Sequence, residues 1–400
     1  MAIIITLCSL LLLAYIFDVS SAFTKIPSVI LLLLLGWAVR QASVFFEIQI
    51  PNLNPLLPVL GTIGLILIVL EGALDLELDK TKIPIIKKSF LVALIPMLML
   101  GVILAMSFRH FGQTSFKTGL INAIPFCVIS SAIAIPSVRN LSAFDKEFTI
   151  YESSLSDVFG VLFFNFIAMN NYLTADVFGH FTLQLLALIL VSFAAVLGLT
   201  FLLSRITHPV IFSPIILLVI LFYAVSKVYE LPGLIFIIIF GLFLGNLNEL
   251  KRFKWFERLR PEKLEKEVIK FKEITFEATF LIRALFFLLF GFLMEAREIL
   301  NLYSMPWAFA IVATIIIIRW ITLKISGLHI SPLLFVSPRG LITILLFLTI
   351  LPEQSIPIVN KSLIIQTIIL SVLAMMIGLM LSKKKEAVPI IGDFISEPST

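Results

Sequence analysis

Residues 125–170 read PFCVISSAIAIPSVRNLSAFDKEFTIYESSLSDVFGVLFFNFIAMN, and they break the apolar regularity of the chain twice. One apolar span is interrupted by SSAIAIP, and the next carries Glu152 and Asp157 at a depth where few ionisable groups belong. An unpaired Asp at the centre of a membrane helix costs about 2.5–3.5 kcal/mol even on lenient insertion scales. Carboxylates kept there either mark an ion or proton pathway or are satisfied groups that tie helices together, and both readings are open. On the first, Asp157 holds a cation or a proton, while Glu152 anchors a basic partner.

The surrounding chain decides the solvent. Of 400 residues, 60% are hydrophobic and only 14% charged, and the mean hydropathy is +1.10. No water-soluble domain has that balance, so the fold class is an all-α polytopic membrane protein. The apolar runs predict about thirteen spans: 2–17, 27–46, 55–74, 89–108, 118–138, 149–170, 178–203, 210–226, 231–247, 274–294, 305–325, 330–351 and 362–381. Met1 opens straight into an apolar run with no basic leader, which predicts a first membrane helix and not a removable signal. Cys8 and Cys127 both lie in apolar runs, which argues against a disulfide framework or a structural zinc site.

Basic residues fall unevenly between the spans. Alternate segments hold Lys80, Lys82, Lys87 and Lys88, nine Lys and Arg between 251 and 272, and Lys383–Lys385. The intervening segments hold only Arg40, Arg109, Lys117, Lys227, Arg297 and Lys361. By the positive-inside rule the N-terminus is outside and the C-terminus cytoplasmic. Residues 251–273 interleave the cations with Phe253, Trp255, Phe256, Leu259, Leu264, Val268 and Phe271, which fits either an interfacial amphipathic stretch or a solvated linker. Residues 382–400 form a short polar tail.

Two spans are interrupted, seven apart in order. The fifth has SSAIAIPS and the twelfth opens HISPLLFVSPRGLITILL; Pro136 and Pro338 each remove a backbone donor near a Ser or Gly. Such a pair predicts inverted repeats, spans 1–6 and 8–13, with two crossed discontinuous helices around a central site. Three arginines fall inside spans. Arg319 has apolar neighbours on both sides and stays charged, so it needs a buried partner, for which Glu152 is the first candidate. Arg339 lies at the twelfth-span break, where free carbonyls can accept its donors. Glu277 and Glu273 are poorly spaced for Arg283, leaving it a helix-to-helix hydrogen-bonding role. The four histidines, His110, His180, His208 and His329, show no metal-ligand spacing, and no nucleophile and base set appears, which argues against an enzyme. The positive charge follows membrane topology, which argues against nucleic-acid binding.

At these residues the chain resembles the monovalent cation/proton antiporter superfamily, most closely its sodium/proton exchanger-like branch. The second span IPSVILLLLLGWAV, IVLEGALDLELD in the third, RALFFLLFG in the tenth and SPRGLITILL in the twelfth all resemble exchanger motifs. Glu152-Ser-Ser-Leu-Ser-Asp157 resembles the signature Glu-Ser-Leu-Leu-Asn-Asp. The resemblance implies that Asp157 binds the ion and that Glu152 pairs with Arg319. Four positions depart: Ser156 replaces Asn, Ser130 and Ser131 stand where exchangers carry Asp-Pro, and Arg283 occupies a position that more often holds Asn or an acid.

The expectation is a transmembrane antiporter domain over 1–381, including the cytoplasmic segment 251–273, followed by the tail 382–400. It exchanges Na+ or K+ for protons by alternating access at Asp157, with Ser156, Ser130 and Ser131 as further cation- or proton-site residues. One titrating carboxylate predicts electroneutral exchange. The family also implies a homodimer in a bacterial inner membrane, contacting lipids, ions and protons, with no cofactor beyond the transported ions. A carrier for another substrate on the same fold and a non-transporting scaffold or sensor are the alternatives.

Overall fold

A computed structural model of the chain describes residues 2–24, 26–48, 50–76, 80–170, short stretches between 179 and 201, and 212–229, 233–247 and 261–382. Among the described residues every regular element is helical. The helices used below are α1 (Ala2–Thr24), α2 (Ser28–Phe45), α3 (Leu56–Asp75), α4 (Ile83–Gly112), α5 (Phe116–Cys127), α6 (Ser131–Ser137) and α7 (Ala143–Met169). They continue as α8 (Phe212–Val228), α9 (Leu234–Gly245), α10 (Pro261–Phe292), α11 (Ala296–Ile299), α12 (Met305–Ile325), α13 (Leu341–Thr349) and α14 (Lys361–Leu381). Among the described residues, eight helices are long and apolar enough to cross a membrane, with shorter apolar helices beside them.

Local chemistry sets several boundaries. Ser115 Oγ accepts the N–H of Thr118 to start α5, Ser142 Oγ accepts that of Asp145 to start α7, and Asn360 Oδ1 accepts that of Leu363 to start α14. The apolar side chains then divide by face. On α4, Val92, Met97, Leu100, Leu104 and Phe108 are buried while Phe90, Leu91, Ile95, Ile103 and Met106 face outward. An outward apolar face is costly in water and comfortable in lipid, so the same helix satisfies both neighbours.

The helices form two packed groups. One contains α4–α7, α12, α13 and α14, the other α1, α2, α3, α8, α9 and α10, and α3 reaches across to α6, α7 and α13. Gly36 of α2 and Gly291 of α10 each face the other helix's backbone: a Cβ would lie 2.1 Å from Leu288 O and 2.3 Å from Leu33 O. Without side chains there, the two helices approach closely enough for dispersion to hold them in lipid.

Residues 261–273 are helical and form the start of α10, with Val268 and Phe271 buried in the protein. Residues 251–260, parts of the seventh span and the tail after 382 lie outside the described residues. Two expectations about the breaks change. The twelfth span has one regular helix, α13; before it, residues 331–335 are turns and 336–340 have no regular structure. Pro136 is not at the fifth-span break; it lies in α6, and the chain is extended at Val128–Ser130 instead.

Candidate functional site

The two breaks meet. Ser130 N–H donates to Pro338 O at 2.9 Å, so each interruption satisfies a polar group of the other. The approach is tight because position 340 lacks a side chain: a Cβ on Gly340 would lie 2.7 Å from Ser130 Oγ and 2.6 Å from Ile133 Cδ1. Extended backbone inside a membrane protein must find partners within the protein. Ile129 N–H finds Ser156 Oγ at 2.9 Å, and Ser371 Oγ accepts Arg339 N–H at 3.0 Å.

Arg339 completes this accounting. Its Nε donates to Phe126 O at 2.5 Å and its Nη1 to Ser337 O at 2.8 Å. Phe126 is in the last turn of α5, whose carbonyls have lost their helical donors at the break. A guanidinium there both fills the hydrogen bonds and opposes the negative end of the helix dipole.

On α7 the two carboxylates have different surroundings. Glu152 is fully buried and is held by Arg319 in a fork, Nη1 to Oε1 at 2.5 Å and Nη2 to Oε2 at 2.8 Å. Arg319 Nε also donates to Leu333 O at 2.7 Å, which ties α7, α12 and the twelfth-span turns to one side chain. Both charges and both carboxylate oxygens are consumed by this geometry.

Asp157 has no such partner among the described residues. Only 1% exposed, it receives the hydroxyl of Ser131 on Oδ2. Its Oδ1 is buried without a hydrogen bond, and so is Ser130 Oγ at the crossing. A buried charge and an unsatisfied buried oxygen are both costly. A proton on the carboxyl, or a cation drawing on the carboxylate and the neighbouring oxygens, relieves the cost. The site therefore has chemistry for one positive species at a time.

The structure thus brings together Asp157, Ser131, Ser130, Ser156, Pro338 and Arg339 around the crossing, and places the Glu152–Arg319 pair beside it on α7 and α12. Pro136 stands apart in α6. Sequence reasoning missed the surroundings of Arg283. The acid within coulombic range of Arg283 comes from α3: it is Glu71. Glu71 stands in the apolar run ILIVLEGAL, the one signal in the sequence that could have raised it.

The sequence profile described as "Sodium/hydrogen exchanger, transmembrane" matches residues 8–383. No curated protein sequence matches the chain. The solved structures that share the fold include two of the sodium proton antiporter MjNhaP1 from Methanocaldococcus jannaschii. The one determined at pH 8 has 18% identity, covers 94% of this chain and 95% of its own, and superposes with a TM-score of 0.66. The one from an electron-microscopy map has 18% identity, 95% coverage of both chains and a TM-score of 0.69.

Proposed function

Because the chain belongs to the sodium/hydrogen exchanger family, a family of transporters and not of enzymes, we propose that it exchanges a monovalent cation, Na+ or K+, for protons at Asp157. The observation that carries this reading is the contrast on α7. Glu152 is neutralised by a forked guanidinium, whereas Asp157 keeps a buried, unpartnered Oδ1 beside the unpartnered Ser130 Oγ.

The cycle follows from competition. The ionised carboxylate binds the cation, with Ser130 Oγ as a neutral oxygen ligand; protonation removes the charge and releases it. Ser131 holds Asp157 Oδ2 and leaves Oδ1 to face the ion. Ser156 takes a structural part, since its oxygen already accepts Ile129 N–H. Alternating access arises when the group that carries the crossing moves against the group that contains α1–α3 and α8–α10. We place the chain in a plasma membrane, in bacteria the inner one, with its N-terminus outside and its C-terminus in the cytoplasm, working as a homodimer.

With Glu152 held by Arg319, one group titrates per cycle and exchange is one for one. The test is proton movement in reconstituted vesicles on addition of Na+, K+ or Li+, with the membrane potential clamped at several values. A cation-dependent flux whose rate is indifferent to potential is expected. A rate that rises steeply with potential would contradict electroneutrality, and no response to any of the cations would overturn the exchanger reading.

A further inference from the structure

Two cations from different helix groups meet at the end of α10. The helix stops at Phe292, and the carbonyls there have lost their helical donors at the negative end of its dipole. Arg40 of α2 donates its Nη1 to Met294 O at 3.0 Å and its Nη2 to Glu295 Oε1 at 3.3 Å. Lys361, the first residue of α14, donates its Nζ to Leu293 O at 2.9 Å. Since α2 and α10 belong to one packed group and α14 to the other, the end of α10 is held from both sides of the seam between them.

The connection that follows is fastened to α14. Lys361 Nζ also pairs with Glu298 Oε1 at 3.0 Å, and Asn301 Nδ2 donates to Ser362 Oγ at 3.3 Å. The buried Gln366 donates its Nε2 to Ile299 O at 3.1 Å and to Asn301 O at 2.9 Å. Residues 298–301 are thus a strap carried by the group that holds the crossing. Sliding that group along α10 has to part Lys361 from Leu293 O and Glu295 from Arg40. Farther in, the same seam is packed shut: a Cβ on Gly61 of α3 would lie 2.3 Å from Leu345 Cδ2 of α13.

We infer that Arg40 and Lys361 are positioning residues of the exchange: together they clamp the end of α10 and the strap, and they hold the outer side of the seam shut until the groups move. The inference rests on the reading of two groups moving around Asp157, with this end of the molecule outside. Breaking the clamp favours the state open to the outside, so a cation binds more readily from there and less readily from the inside. The apparent affinity on each side scales with the population of the state open to that side. The ratio of outer to inner KM therefore reports the equilibrium between the two states, whereas the loss of a contact that only stabilises the fold lowers flux from both sides and leaves the ratio alone.

The experiment measures KM for Na+ or K+, whichever drives wild-type flux, on each face of right-side-out and inside-out vesicles at equal pH on both sides. The proteins compared are wild type, Arg40→Gln, Lys361→Gln, Lys361→Arg and Glu147→Gln. Each glutamine variant of the clamp is expected to lower the ratio of outer to inner KM about twofold to fivefold, the range of a partly exposed ion pair. Lys361→Arg can keep both bonds and is expected to match wild type. Glu147 pairs with Lys82 at 2.5 Å within one group, so Glu147→Gln is expected to leave the ratio unchanged. Either clamp variant alone decides the test if the other cannot be reconstituted. A ratio that stays constant or rises in the clamp variants, or that falls equally in Glu147→Gln, would overturn the inference while wild-type flux leaves the transport reading intact. A wild type without flux would overturn both.

Discussion

Ser130 and Pro338 join the two interrupted spans by a backbone hydrogen bond of 2.9 Å, and the site exists because this bond forms where Gly340 leaves room for it. Gly340→Ala should therefore damage transport more than folding. The new Cβ meets Ser130 Oγ at 2.7 Å and Ile133 Cδ1 at 2.6 Å, so one break has to move off the other. The expected outcome is protein that elutes as wild type from size exclusion but whose cation-driven flux falls at least about tenfold, a rise of roughly 1.4 kcal/mol in the rate-determining barrier.

The Glu152–Arg319 fork should behave as a buried pair. Glu152→Gln leaves the guanidinium uncompensated, and thermal unfolding in detergent should show a loss of about 3–5 kcal/mol. Arg319→Lys keeps the charge but loses the fork and the bond to Leu333 O, so it should be nearly as damaging. A double Met variant should recover most of the stability.

Much of this was legible in the residues. The density of apolar residues dictates helices in lipid, and an interior Arg319 demands an acid, for which Glu152 is the first candidate. The position of the fifth-span break was not legible. Pro136 is the obvious helix breaker, yet the chain opens earlier, because at 128–130 partners from distant segments (Ser156, Pro338 and Arg339) replace the helical bonds. Pairing between α3 and α10 was equally hidden. The acids on the same helix are poorly spaced for Arg283, whereas Glu71, which lies within coulombic range of it, is more than two hundred residues away, where only tertiary packing can bring it. At the start of α10 the sequence shows the helical spacing but not what covers it: Val268 and Phe271 are as apolar as a lipid-facing stripe, and it is packing that buries them.

The two serines at the break should separate. Ser130→Ala removes a buried hydroxyl that has no partner, so stability in cation-free buffer should be unchanged or up to about 1 kcal/mol higher. Its KM for the cation should rise about tenfold, the equivalent of one lost oxygen ligand. Ser131→Ala instead removes a donor to the carboxylate and should cost about 1.5–3 kcal/mol in unfolding experiments.

Beyond the end of α10, Glu295 accepts hydrogen bonds from Arg297 and from Arg40 of α2, and these hold its carboxyl below the ordinary range. A depressed acid contributes stability above its unfolded pKa and loses it as pH falls through the folded one. The unfolding temperature of Glu295→Gln should lie below that of wild type at neutral pH, and the two should converge under acid conditions, below about pH 4. Curves that stay parallel across that range would rule out this ion pair as a source of acid sensitivity.

The central claim is that one buried carboxylate, Asp157, serves both ions. The direct measurement is cation-driven proton flux in vesicles containing either wild type or Asp157→Asn at matched amounts. Asparagine keeps the shape and a hydrogen-bonding oxygen but can neither ionise nor take a proton at this site. The account predicts flux in the wild type and none in the variant with any of Na+, K+ or Li+. Flux that survives in Asp157→Asn would contradict it.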